Sequence, residues 1–150
     1  MDSVLSLLGL ALRAGRLEAG DEAAGEACRE TRCRLLLTAA GAGESALRRA
    51  SRWAEEGKCL LLPLPFSKEE LGGALGRGAC AMAAVTDLGL ARAVADKLAQ
   101  RDPERYAGAA ERLRIKAERA AQRRERNTGE ARRERTARGP VQYNRKRNKK

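Results

Sequence analysis

Residues 59–89 read CLLLPLPFSKEELGGALGRGACAMAAVTDLG. The apolar run 59–62 stops at Pro63 and Pro65. Ser67, with Glu70 three places on, has the form of a helix-capping box, so a short amphipathic helix is expected after the prolines. A second apolar run, 80–85, ends at Thr86 and Asp87. Strand, crossover helix, strand is the unit from which an α/β sheet with helices on its faces is built.

The same grammar extends towards the N-terminus. Segment 34–39, RLLLTA, is a continuous apolar run, the pattern of a central strand covered on both sides. Before it, Ser3 can cap a helix over 3–14 whose face is Leu5, Leu8 and Leu12, stopped by Gly15. Residues 16–19 are a short extended piece, and Gly20 opens a turn into a helix over 21–30. That helix presents Ala23, Ala24, Ala27 and Cys28, residues small enough for close approach to whatever lies beneath. A third helix, 44–56, places Leu47, Ala50, Trp53 and Ala54 inward. A closing helix over 88–100 follows Asp87, its expected N-cap. The pattern predicts an α/β fold: a three-layer α–β–α sandwich around a small mixed sheet of about four strands, forming one domain over residues 1–100.

Residues 101–150 read differently. Tyr106, Ala110, Leu113, Ala117 and Ala120 form a helical stripe, and Glu111–Arg114 and Arg114–Glu118 are helix-compatible charge pairs. A helix is expected to about residue 127, then a disordered stretch ending in the basic cluster NRKRNKK. Charge divides at the same place. Residues 1–100 hold 13 basic and 13 acidic side chains, residues 101–150 hold 18 and 7, so the whole net charge of +11 sits in the tail. A neutral body with a cationic arm implies a polyanionic partner. The arm has no bulky apolar anchors for a membrane surface, and no segment reaches membrane-spanning length.

Catalytic patterns are missing. The chain has no histidine, the usual near-neutral acid–base. GAGES at 41–45 lacks the lysine and spacing of a P-loop, and GGALGRG at 72–78 ends a helix where a dinucleotide fingerprint must follow a strand. Cys28, Cys33, Cys59 and Cys80 form no CxxC, so neither metal site nor cofactor is expected, and reduced thiols fit a cytoplasmic protein. Residues 5–12 are apolar but short and follow Asp2, so no secretory leader is expected. No catalytic residue is assigned, and the chain reads as a non-enzyme.

Three stretches carry a resemblance: AGRLEAGDEAAGEACR (14–29), LLLTAAGA (35–42) and PFSKEELGGALGRGACAMAAVTDLG (65–89). Together they resemble the kink-turn RNA-binding ribosomal protein superfamily of the seven-Ae type, most nearly its bacterial YlxQ-like members, over residues 3–99. The resemblance implies an RNA grip at the turn and N-terminus of the second helix, aided by the loop before the last strand. It places Gly20 on the family's turn glycine. Asp21, Glu22 and Ala23 stand where a polar trio reads sheared G·A pairs, and Glu26 stands where a lysine meets the backbone. Arg77, Gly78, Ala79 and Cys80 take the second contact region. Three carboxylates at 21, 22 and 26 depart from the family pattern and repel phosphates. The tail is expected to supply attraction through Arg112, Arg114, Lys116, Arg119, Arg123, Arg124, Arg126, Arg132, Arg133, Arg145, Lys146, Arg147, Lys149 and Lys150. Arg16, Arg29, Arg32 and Arg77 are expected to form a positive rim.

The expected function is non-catalytic binding of structured RNA, kink-turns among the candidates, in association with rRNA or the ribosome, by a chain that is monomeric when free. The alternative is a protein–protein adaptor of the transcription or translation machinery on the same scaffold. Duplex DNA binding by the tail alone is a third reading.

Overall fold

The computed structural model describes residues 2–148, with side chains described to residue 134. Ten elements follow in order: α1 (Ser3–Arg13), β1 (Leu17–Ala19), α2 (Asp21–Arg29), β2 (Leu35–Ala40), α3 (Glu44–Gly57), β3 (Leu60–Ser67), α4 (Lys68–Ala74), β4 (Met82–Val85), α5 (Leu88–Arg101) and α6 (Pro103–Asn148). The four strands form one sheet in the order β1-β4-β2-β3. The sheet is mixed: β2 and β3 are parallel, while β4 runs antiparallel to both β2 and β1.

Strand direction departs from the expected unit. β3 and β4 do not pair; they flank β2 and run in opposite senses. The parallel crossover is β2–α3–β3 instead. Helix length accounts for this. The fourteen residues of α3 carry the chain back about 21 Å at 1.5 Å per residue. The seven residues of α4 return it only about 10 Å, and the chain turns back into β4. β3 also runs through both prolines to Ser67. As an edge strand it has one side free of ladder bonds, which is where proline is tolerated.

Helices cover both faces. On one, α1, α4, α5 and the start of α6 pack on Leu35, Leu37, Leu62, Leu64, Phe66, Ala83 and Val85; on the other, α2 and α3 pack on Leu36, Met82 and Ala84. The unbroken apolar run in β2 follows from this, because successive side chains enter opposite cores.

The expected capping box forms: Glu70 N–H donates to Ser67 Oγ (3.0 Å) and Ser67 N–H to the Glu70 carboxylate (2.9 Å). Asp87 caps α5, accepting from Leu90 N–H at 2.8 Å. At α1 the cap is Asp2 and not Ser3; its carboxylate accepts from Val4 N–H (2.7 Å) and also pairs with Arg101. In α3, Leu47 points outward, 41 % exposed, and Ala46 takes the inward position.

The compact body extends to Arg114, beyond the expected boundary near 100. Tyr106, Ala110 and Leu113, on the first turns of α6, are buried in the core. Tyr106 Oη donates to the Pro63 carbonyl at 2.6 Å, joining α6 to the edge strand. Residues 115–150 are a separate unit. α6 itself runs past residue 127, where the sequence reading ended the helix. Among the described residues, no helix is long and apolar enough to cross a membrane.

The alanine-rich α2 approaches α3 closely at Gly25. A Cβ there would lie 2.8 Å from Trp53 Cζ2. Gly25→Ala is expected to cost about 1–3 kcal/mol by forcing the indole aside. Gly73→Ala, where a Cβ meets nothing within 4 Å, is expected to stabilise by about 0.5–1 kcal/mol. Urea unfolding followed through the single tryptophan, Trp53, reads both.

Candidate nucleic-acid interface

The two segments assigned to RNA contact are nearly sixty residues apart in the chain, and the fold brings them together. β1 and β4 pair, with Ala19 opposite Ala83, and Gly20 N–H donates to the Met82 carbonyl at 2.9 Å. Arg77 reaches back across this junction: its Nη1 donates to the Ala19 carbonyl at 2.7 Å. Gly20 has φ 97°, a left-handed value that favours glycine, and a Cβ there would lie 2.8 Å from Arg77 Nη1. The turn glycine therefore meets two demands, one of backbone conformation and one of space.

Loop 75–79 is held from below. Arg77 N–H donates to the Gly72 carbonyl (2.7 Å), and a Cβ on Gly72 would lie 2.7 Å from Ala79 Cα. Arg77, Gly78 and Ala79 are exposed. Cys80 is not: it is 4 % exposed, and its thiol donates to the Met82 carbonyl at 3.1 Å. Its side chain supports the loop from inside the body.

Around the α2 N-terminus the charges are distributed unevenly. Asp21 is half-buried and forms an ion pair with Arg49 of α3, which also donates to Ser45 Oγ at 2.8 Å. One of the three carboxylates is thereby neutralised within the fold. Glu22 and Glu26 are exposed one turn apart on α2, and Ala23 is half-buried. Asp21 and Glu22 also lie where the helix dipole favours negative charge. The expected positive rim is weaker than the sequence implied, because Arg32 pairs with Glu30 (2.7 Å) and Glu18 (3.6 Å). The hydrogen bond that Arg32 donates to Glu30 raises the Arg32 pKa. Arg49 had no signal in the sequence; its pairing depends on how α2 and α3 cross.

The basic positions of the last third divide between the two units. Arg112 and Arg114 belong to the body, and Arg114 Nε donates to the Glu111 carboxylate at 3.0 Å. This bond holds the Glu111 carboxyl below its usual range. Lys116, Arg119, Arg123, Arg124, Arg126, Arg132 and Arg133 are exposed on α6 in the second unit. The side chains of Arg145, Lys146 and Arg147 lie outside those described, and Lys149 and Lys150 lie outside the described residues.

No family model matches the chain, and no curated protein matches it. Among solved structures it is similar to a protein of unknown function from Bacillus halodurans, at 26 % identity with a TM-score of 0.59. The match covers 65 % of this chain and 97 % of that one. What the two share is therefore an α/β fold that accounts for almost the whole of the smaller protein and leaves about a third of this chain outside it.

Proposed function

We propose that the chain is a non-catalytic, cytoplasmic RNA-binding protein of the kink-turn type, resembling the YlxQ-like ribosomal proteins and associated with rRNA or the ribosome. The observation that carries this reading is the junction at Arg77. It joins the Gly20 turn to the exposed 77–79 loop, making one surface of the two segments to which the resemblance assigns RNA contact. The internal pairing of Asp21 with Arg49 reduces the repulsion that three carboxylates would otherwise exert on phosphates. Residues 115–150, with 14 basic and 4 acidic side chains, supply sequence-independent attraction.

Charge reversal at the site tests the reading. Glu26→Lys is expected to raise affinity for a kink-turn RNA by roughly tenfold at low salt, which corresponds to about 1.4 kcal/mol. A duplex of the same length without the sheared G·A pairs should gain less. Fluorescence anisotropy with both RNAs measures this. An equal gain on both would place Glu26 outside any specific grip, and no RNA binding at low ionic strength would refute the proposal.

One feature favours the adaptor reading: Glu22 and Glu26 present an exposed acidic pair on α2, suited to a basic protein surface. Crosslinking in growing cells separates the two, since RNA adducts support the first reading and protein-only adducts the second.

A further inference from the structure

Cys59 lies 26 residues beyond Cys33 and the three cysteines form no CxxC, yet the sulfurs of Cys28, Cys33 and Cys59 converge, all within 4.8 Å of one another. Cys28 lies on the last turn of α2, Cys33 in the loop before β2, and Cys59 immediately before β3. The Cys59 and Cys33 sulfurs are 3.4 Å apart. Cys28 and Cys33 are buried and Cys59 is half-buried, so the cluster is open on one side. None of the four cysteines is in a disulfide, and Cys80 takes no part in the cluster.

We infer that Cys28, Cys33 and Cys59 form a binding site for a thiophilic d10 cation, Zn²⁺ or Cu⁺. Three sulfurs each about 2.3 Å from a common centre lie about 3.8–4.0 Å from one another in tetrahedral or trigonal geometry. The one pair at 3.4 Å and the 4.8 Å limit on all three are within about 1 Å of that value, a mismatch that side-chain rotation can take up. Thiolate sulfur is the donor that selects Zn²⁺ and Cu⁺ over hard cations. A trigonal Cu⁺ site would be complete with three sulfurs. A Zn²⁺ site would take a fourth ligand on the open side, water or the carboxylate of neighbouring Glu56.

The balance is three thiols and one cation giving a tris-thiolate complex and three protons. Two of them come from Cys28 and Cys33, whose surroundings favour the protonated thiol. The Cys33 hydrogen bond lowers the Cys28 pKa, but the Cys59 hydrogen bond, burial and the Glu56 charge outweigh it and push it up to about 12. Hydrogen bonds with Cys28 and Cys59, together with burial, push Cys33 up as well. Metal uptake must therefore release protons. The ion would tie the end of α2 and the loop after it to the start of the edge strand, reinforcing the place where the β2–β3 ladder begins at Leu35 and Leu60.

The test uses the full chain, purified under reducing conditions. Zn²⁺ uptake is measured by mass spectrometry of metal content after dialysis. Co²⁺ titration reports thiolate ligation through its sulfur-to-metal absorption, and Cu⁺ is offered from a coloured chelator. One equivalent per chain is expected for at least one of Zn²⁺ and Cu⁺, with a rise in the thermal midpoint followed by Trp53 fluorescence. Cys33→Ser should weaken uptake at least about a hundredfold and abolish the midpoint rise, while Cys80→Ser should leave uptake unchanged. Cys59→Ser, at the half-buried position, gives the same readout if the Cys33 variant does not fold. Absence of uptake of either cation overturns the site. So does uptake that survives in the Cys33 and Cys59 variants.

Discussion

Truncation after Arg114 is expected to lower affinity for structured RNA by about two to three orders of magnitude at 0.1 M salt and to flatten its salt dependence. Residues 115–150 carry a net charge of +10, against +1 for residues 1–114. If six to ten of those side chains meet phosphates, affinity of the full chain falls by about 10³–10⁵ between 50 and 200 mM salt. The truncated body should show only a slope of about one or two contacts. The cut must fall after Arg114. Cutting at residue 100 removes Tyr106, Ala110 and Leu113 from the core, so loss of binding would then report unfolding. Trp53 fluorescence confirms that the shorter chain is folded. Equal affinity and an unchanged salt slope would show that the arm does not bind RNA.

Tyr106→Ala is expected to destabilise the body by about 3–5 kcal/mol, the cost of truncating a large buried aromatic. Tyr106 is 1 % exposed and sits in the core beside the β3 and α5 side chains. Burial raises its phenol pKa, as expected for a ring held out of water. Tyr106→Phe keeps the ring and loses only the bond to the Pro63 carbonyl, so it should cost about 0.5–1.5 kcal/mol. Urea unfolding with Trp53 as probe measures both, and Trp53 is on the opposite face of the sheet. A midpoint shift there shows that α6 stabilises the whole body and not merely its own turns. A Tyr106→Ala chain as stable as the parent would return the first turns of α6 to the arm.

Much of the α/β architecture was legible because its signals are local. The capping box at Ser67 and Glu70, the cap at Asp87 and the unbroken apolar run of β2 each depend on neighbours within a few residues. The same holds for the break in charge after residue 100. Where the reading failed locally, at Asp2 in place of Ser3 and at Leu47, the margin was one residue of helix phase or boundary.

The sequence by itself determined the succession of elements, the two-sided burial of the central strand and the confinement of the net positive charge to the last third. Tertiary structure decided which strands pair and in which direction, because that depends on how far each connecting helix carries the chain back. It also decided that the body closes over Tyr106, that Arg49 neutralises Asp21 and that Cys59 meets Cys28 and Cys33. Each of these joins segments whose separation along the chain leaves no periodic trace; only the packed path of the backbone brings them within reach.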